Sequence, residues 1–131
     1  MKLLDLKLRM IVLWIWAAIA ISAHSCLAFL QSGMIEKVMS GEMVVGPGMM
    51  VLMAFFWLIP LIMVFLSTTL KDRANKWTNR ILSIIIAILS LFHFYEHIME
   101  PIIEQILIVG STVVVSAFLI FYSWKWPVKE A

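Results

Sequence analysis

The sequence predicts an all-α membrane protein, a four-transmembrane-helix bundle in up-down-up-down order. Three observations predict it. Hydrophobic residues make up 63% of the 131 residues and charged residues 14%, against roughly 45–50% and about 25% in soluble domains. Four long apolar stretches are separated by short polar connections. Nine of the ten Lys and Arg residues fall on one side of the alternating connections. A soluble domain of this size buries only about two-thirds of its surface, so this much apolar area requires lipid as solvent. The length suits one domain spanning 1–131.

Each apolar stretch reads as a span. The first runs over 10–30 and the second over 49–70, both without a formal charge. The third covers 77–97, with Arg80 able to extend its head group to the interface. The fourth covers 102–126. A hydrocarbon core about 30 Å thick takes roughly 20 helical residues. No stretch alternates apolar and polar residues as a barrel strand does. Pro60 falls inside the second span, where its ring removes a backbone donor and bends the helix. Pro101 reads as the start of the fourth helix. The first link, from Gln31 to Gly48, carries Gly33, Gly41, Gly46 and Pro47 and reads as turn chemistry. Lys71 to Asn79 reads as a polar link.

The first apolar run is longer than the core of a cleaved leader, and Ala23-His24-Ser25-Cys26 is a poor lipoprotein cleavage match. The segment therefore reads as a retained span. Cys26 is the one cysteine, which excludes an internal disulfide, and it reads as a small buried hydrophobe.

Charge placement orients the bundle. Lys2, Lys7 and Arg9 precede the first span; Lys71, Arg73, Lys76 and Arg80 sit at the second link; Lys125 and Lys129 follow the fourth span. The other links hold Glu36, Glu42, Glu96, Glu100 and Glu104, with Lys37 the single base. Basic short loops stay inside, so the expected location is the cytoplasmic membrane, multi-pass, with both termini in the cytoplasm. Trp77, Trp124 and Trp126 fall at the inner interface.

Several segments resemble a known family. Leu4-Asp5-Leu6-Lys7 followed by Leu13-Trp14-Ile15, then Ile35-Glu36-Lys37-Val38-Met39-Ser40-Gly41, then Arg73-Ala74-Asn75-Lys76-Trp77-Thr78-Asn79, and finally Phe121-Tyr122-Ser123-Trp124-Lys125-Trp126-Pro127 occur in that order. As an ordered set they resemble a family of small bacterial four-span membrane proteins labelled as a domain of unknown function. The resemblance covers nearly the whole chain. It implies a bacterial source, the cytoplasmic membrane and four spans, and it implies no reaction.

The segment richest in chemistry is His93-Phe94-Tyr95-Glu96-His97-Ile98-Met99-Glu100-Pro101, followed by Glu104. His93 and His97 lie one helical turn apart on one face, the spacing by which a helix offers two imidazoles to one metal. Glu100 and Glu104 are the candidates to complete a divalent metal site. The plain alternative is a solvated cap at the outer boundary, with Glu104 favoured at a helix N-terminus. The string also reads as H-x-x-E-H, which some zinc peptidases use, but the chain has little length left for a substrate cleft.

His24 lies inside the first span beside Ser25, at the depth expected for His93. Ionisable groups within a span face the bundle interior and find partners. His24, Ser25, His93, Glu96 and His97 are therefore candidates for an outward-facing ligand pocket. The competing reading is a neutral His24 bonded to a serine or a backbone carbonyl. Lys71, Arg73, Lys76 and Arg80 are candidates for anionic lipid head groups as well as the topology signal. The methionines Met43, Met49, Met50 and Met53 read as gap fillers rather than soft-metal ligands.

No phosphate-binding glycine loop, CxxC pair or haem-attachment motif is present, and the first three spans are expected to hold no buried carboxylate of the kind small proton-coupled exporters use. The leading expectation is a non-enzymatic membrane protein that binds a lipid, a small ligand or a protein partner, with homo-oligomers among the partners and nucleic acid excluded. Two alternatives stand beside it. One is a metal or ion binding or transport component that uses the His/Glu cluster. The other is an accessory subunit of a membrane enzyme.

Overall fold

The computed structural model describes residues 2–127. The chain forms α1 (Leu3–Leu30), α2 (Met34–Met39), α3 (Pro47–Thr69), α4 (Asp72–Met99) and α5 (Ile103–Trp124), with no strand among the described residues. All but α2 are long and apolar enough to cross a membrane, so the protein is a multi-pass membrane bundle. At 1.5 Å per residue the shortest of the four, 22 residues, spans about 33 Å.

The four long helices run up, down, up, down. At one end Lys7 of α1 pairs with Asp72 at the start of α4 at 2.9 Å, and Arg9 donates to the Tyr122 hydroxyl of α5 at 3.0 Å. At the other end His24, His93 and Gln105 meet from α1, α4 and α5. These are the basic end and the histidine end. The tail residues Lys129 and Glu130 lie outside the described residues. α1 packs between α3 and α5, and α5 packs on α4.

Buried positions follow heptad-like spacing. On α1 they are Leu6, Met10, Trp14, Ala17 and Ile21. On α4 they are Asn75, Asn79, Ser83, Ile86 and Ser90, and on α5 Gln105, Val109, Thr112, Ser116, Leu119 and Ser123. Steps of three and four keep one stripe facing its neighbours. The stripe on α4 and α5 is largely polar or small, as expected where lipid is as apolar as leucine and close packing with interhelical hydrogen bonds drives association. Gly110 shows the closeness of this packing: a β-carbon there would meet the Phe94 ring at 3.2 Å.

These stripes explain where the helices depart from the sequence reading. α1 begins at Leu3 because Leu6 and Met10 already belong to its buried face. α4 begins at Asp72, so most of the polar segment Lys71 to Asn79 is helical, with Asn75 and Asn79 turned inward. The buried asparagines are satisfied. Trp14 Nε1 donates to Asn79 Oδ1 at 2.8 Å, Asn79 Nδ2 to Asn75 Oδ1 at 2.7 Å, and Asn75 Nδ2 to the Ser67 carbonyl at 2.8 Å. This chain ties α1, α3 and α4 together near the basic end. Cys26 is exposed rather than buried, because it falls off the α1 stripe that runs through Ile21. α3 stays helical through the buried Pro60, whose missing N–H frees the Phe56 carbonyl. The first link holds the short helix α2, entered through Gly33 at φ 80°, a left-handed conformation that glycine adopts without strain.

From their polar tie near the basic end, α3 and α4 separate toward the histidine end. A cavity of about 440 Å³ lies between them, with α1 as a wall and α2 beside it.

Candidate metal centre

The buried stripe of α1, stepping from Ala17 to Ile21, reaches His24 at the next turn. The stripe of α4, stepping from Ile86 to Ser90, reaches His93 and then His97. Helix periodicity therefore brings three imidazoles from two helices to one point. Their ring centroids are 4.6 Å (His24–His93), 5.1 Å (His24–His97) and 4.7 Å (His93–His97) apart, all edge to face. One ligand nitrogen from each lies within 4.8 Å of the others. All three residues are half-buried.

The surrounding oxygens assign the tautomers. Gln105 Nε2 donates to the His24 backbone carbonyl at 3.3 Å. That fixes Gln105 Oε1 as the atom facing His24 Nδ1, so Nδ1–H donates to it. The Glu96 carboxylate is 3.0 Å from His93 Nδ1. An ionised carboxylate only accepts, so this Nδ1 also carries its proton. With both rings neutral each presents an Nε2 lone pair, and with one ring protonated its Nε2–H donates across the 2.8 Å between the two atoms. Two lone pairs at that distance repel unless a proton or a cation lies between them. Nε2 of His97 is buried with no hydrogen-bond partner among the described residues. His97 Nε2 therefore stands unsatisfied beside the His24–His93 contact, and an unpaired buried polar atom costs free energy.

The donor set suits a first-row transition metal. Imidazole nitrogen binds zinc, copper, iron and nickel, and a ligating histidine commonly donates its other N–H to a carboxylate or carbonyl oxygen. Glu96 and Gln105 are placed for that second role. Tetrahedral zinc at about 2.0–2.1 Å from each nitrogen spaces its ligands by roughly 3.4 Å. The 2.8 Å contact is inside that spacing and the 4.8 Å limit outside it, so the rings must shift to take up a metal.

The other sequence candidates are placed as follows. Glu100 and Glu104 are exposed and lie outside the trio. Glu100 caps α4 with its backbone turned out of the helix, and Glu104 is one residue off the α5 stripe that begins at Gln105. Ser25 lines the cavity beside His24 and returns its hydroxyl to the Ile21 carbonyl at 3.1 Å. Lys71 and Arg73 are exposed and Lys76 half-exposed at the basic end. Arg80 is drawn into the bundle, donating to the carbonyls of Ser123 at 3.2 Å and Trp124 at 3.3 Å and stacking over both Trp77 and Trp124.

Gln105 is the site residue that sequence reasoning missed. Its signal is its register: it opens a stripe of three- and four-residue steps running to Ser123. Comparison of the chain with protein-family models, with curated proteins and with solved structures found no match.

Proposed function

We propose that this protein is a membrane-embedded binder of a divalent transition metal, held by His24, His93 and His97, with Glu96 and Gln105 orienting two of the rings. The observation that carries this reading is the convergence of three imidazoles from two helices, with one ligand nitrogen of each within 4.8 Å of the others and His97 Nε2 buried without a hydrogen-bond partner among the described residues. Three protein ligands leave a fourth position open, as in zinc sites that take an exchangeable ligand. The expected setting is the cytoplasmic membrane of a bacterium with the basic end and both termini inside, which puts the metal near the outer face. The clustering of Lys7, Arg9, Arg73 and Arg80 at one end and of Glu96, Glu100 and Glu104 at the other supports that orientation.

The test is zinc content after dialysis of the protein in detergent micelles against buffered micromolar zinc. One zinc per chain is expected, with loss of that zinc in each of His24→Ala, His93→Ala and His97→Ala. Retention in all three variants, or no zinc in the wild type, contradicts the proposal.

A further inference from the structure

The cavity of about 440 Å³ shares two of the three metal ligands: His24 and His93 are part of its wall. Its volume falls in the range of roughly 300–1,000 Å³ that small-molecule sites occupy. Apart from these two rings and Ser25, the side chains that line it are apolar, among them Phe56, Trp57, Leu89 and Phe92. No Lys, Arg, Asp or Glu lines it.

Along α1 the cavity reaches from Ile21 to Phe29, about 12 Å of helix at 1.5 Å per residue. That is close to one leaflet of hydrocarbon, about half of a 30 Å core. The slot is apolar over most of a leaflet's depth, which suits a hydrocarbon chain. Its walls on α3 and α4 are separated at this level, while Asn75 and Asn79 hold those helices to Ser67 near the basic end.

The charge balance selects the head group. Three neutral imidazoles around a divalent cation leave two positive charges in a half-buried, weakly polar site. An anionic fourth ligand lowers the cost of that charge. With no Lys or Arg on the cavity wall, a doubly charged phosphate lacks the cationic partners it usually finds, whereas a single carboxylate matches the one open position.

We infer that the cavity binds a long-chain fatty acid drawn from the adjoining leaflet, its carboxylate on the metal at His24 and His93, the near part of its hydrocarbon chain between α3 and α4 and the remainder in the leaflet. This inference rests on the metal-binding reading above.

The experiment is native mass spectrometry of the delipidated full chain, zinc-loaded or chelator-stripped, titrated with palmitate and with methyl palmitate. One palmitate per zinc-loaded chain is expected. Binding should be at least tenfold weaker for the methyl ester and for stripped protein. Ala28→Trp, which fills the slot one helical turn beyond His24, should keep one zinc and lose palmitate. Zinc-loaded protein that ignores palmitate, or that takes the ester equally well, overturns the inference and leaves the metal centre standing. Palmitate binding that is unchanged by zinc removal or by Ala28→Trp also overturns it. Protein that holds no zinc overturns the metal centre, and this inference with it.

Discussion

Nε2 of His24 on α1 and Nε2 of His93 on α4 face each other at 2.8 Å, each ring held from behind by an oxygen on its Nδ1 side. Under the metal-binding proposal the pair supplies two of the three ligands. Orientation from behind is what Gln105 contributes to His24, so Gln105→Leu should leave the three ligands in place and weaken zinc binding about 10–100-fold, the usual effect of removing such a partner. Competition against a chromophoric chelator measures it. An unchanged affinity would show that the His24 ring is held by packing alone.

Acid should release the metal. Each imidazole binds a proton or the metal through the same Nε2 lone pair, so lowering the pH favours the proton. Zinc affinity is therefore expected to be highest at neutral to mildly basic pH and to fall as the solution is acidified. Zinc titrations at successive pH values, with release of protons on binding recorded in weak buffer, check both signs. Affinity that does not change with pH would point to ligands other than these three.

The buried polar chain near the basic end should behave as one unit. Asn79 accepts from Trp14 and donates to Asn75, which in turn donates to Ser67. Asn79→Leu leaves the Trp14 N–H without its acceptor and should cost about 1–3 kcal/mol. Trp14→Phe should cost less in the Asn79→Leu background than in the wild type, with a coupling of roughly 0.6–1.7 kcal/mol, the range found for interhelical bonds in membranes. Denaturation of the four proteins in mixed micelles gives the cycle. Strict additivity would mean that the two side chains contribute independently.

Orientation has its own test. Reporter fusions placed after Arg73 are expected to read as cytoplasmic, and fusions near Glu100 as external. The reverse pattern would contradict the orientation and move the histidine end to the inner face.

The bundle was legible in the sequence because lipid leaves a coarse signal. Uninterrupted apolar runs of about 20 residues and the alternation of basic and acidic links both survive without tertiary detail. The helix starts were less legible. Asn75 and Asn79 look like loop residues when polarity is read alone, and they become core only when the three- and four-residue steps through Ser83 and Ile86 are followed back. The same steps lead forward to His93 and His97, which the sequence offered as a pair. That His24 meets them depends on α1 lying against its neighbours in one rotation, which its own composition states weakly, since it is apolar on nearly every side. Gln105 was hidden for a different reason: next to Glu104 it looked like part of a solvated cap, and only the packing of α5 turns it inward.

The most direct measurement of the central claim is X-ray absorption at the zinc edge, made on protein carrying one equivalent of zinc. The account predicts a first shell containing three imidazole nitrogens at about 2.0–2.1 Å, with the imidazole pattern lost in His97→Ala. A shell made only of oxygens, or one that His97→Ala leaves unchanged, would contradict it.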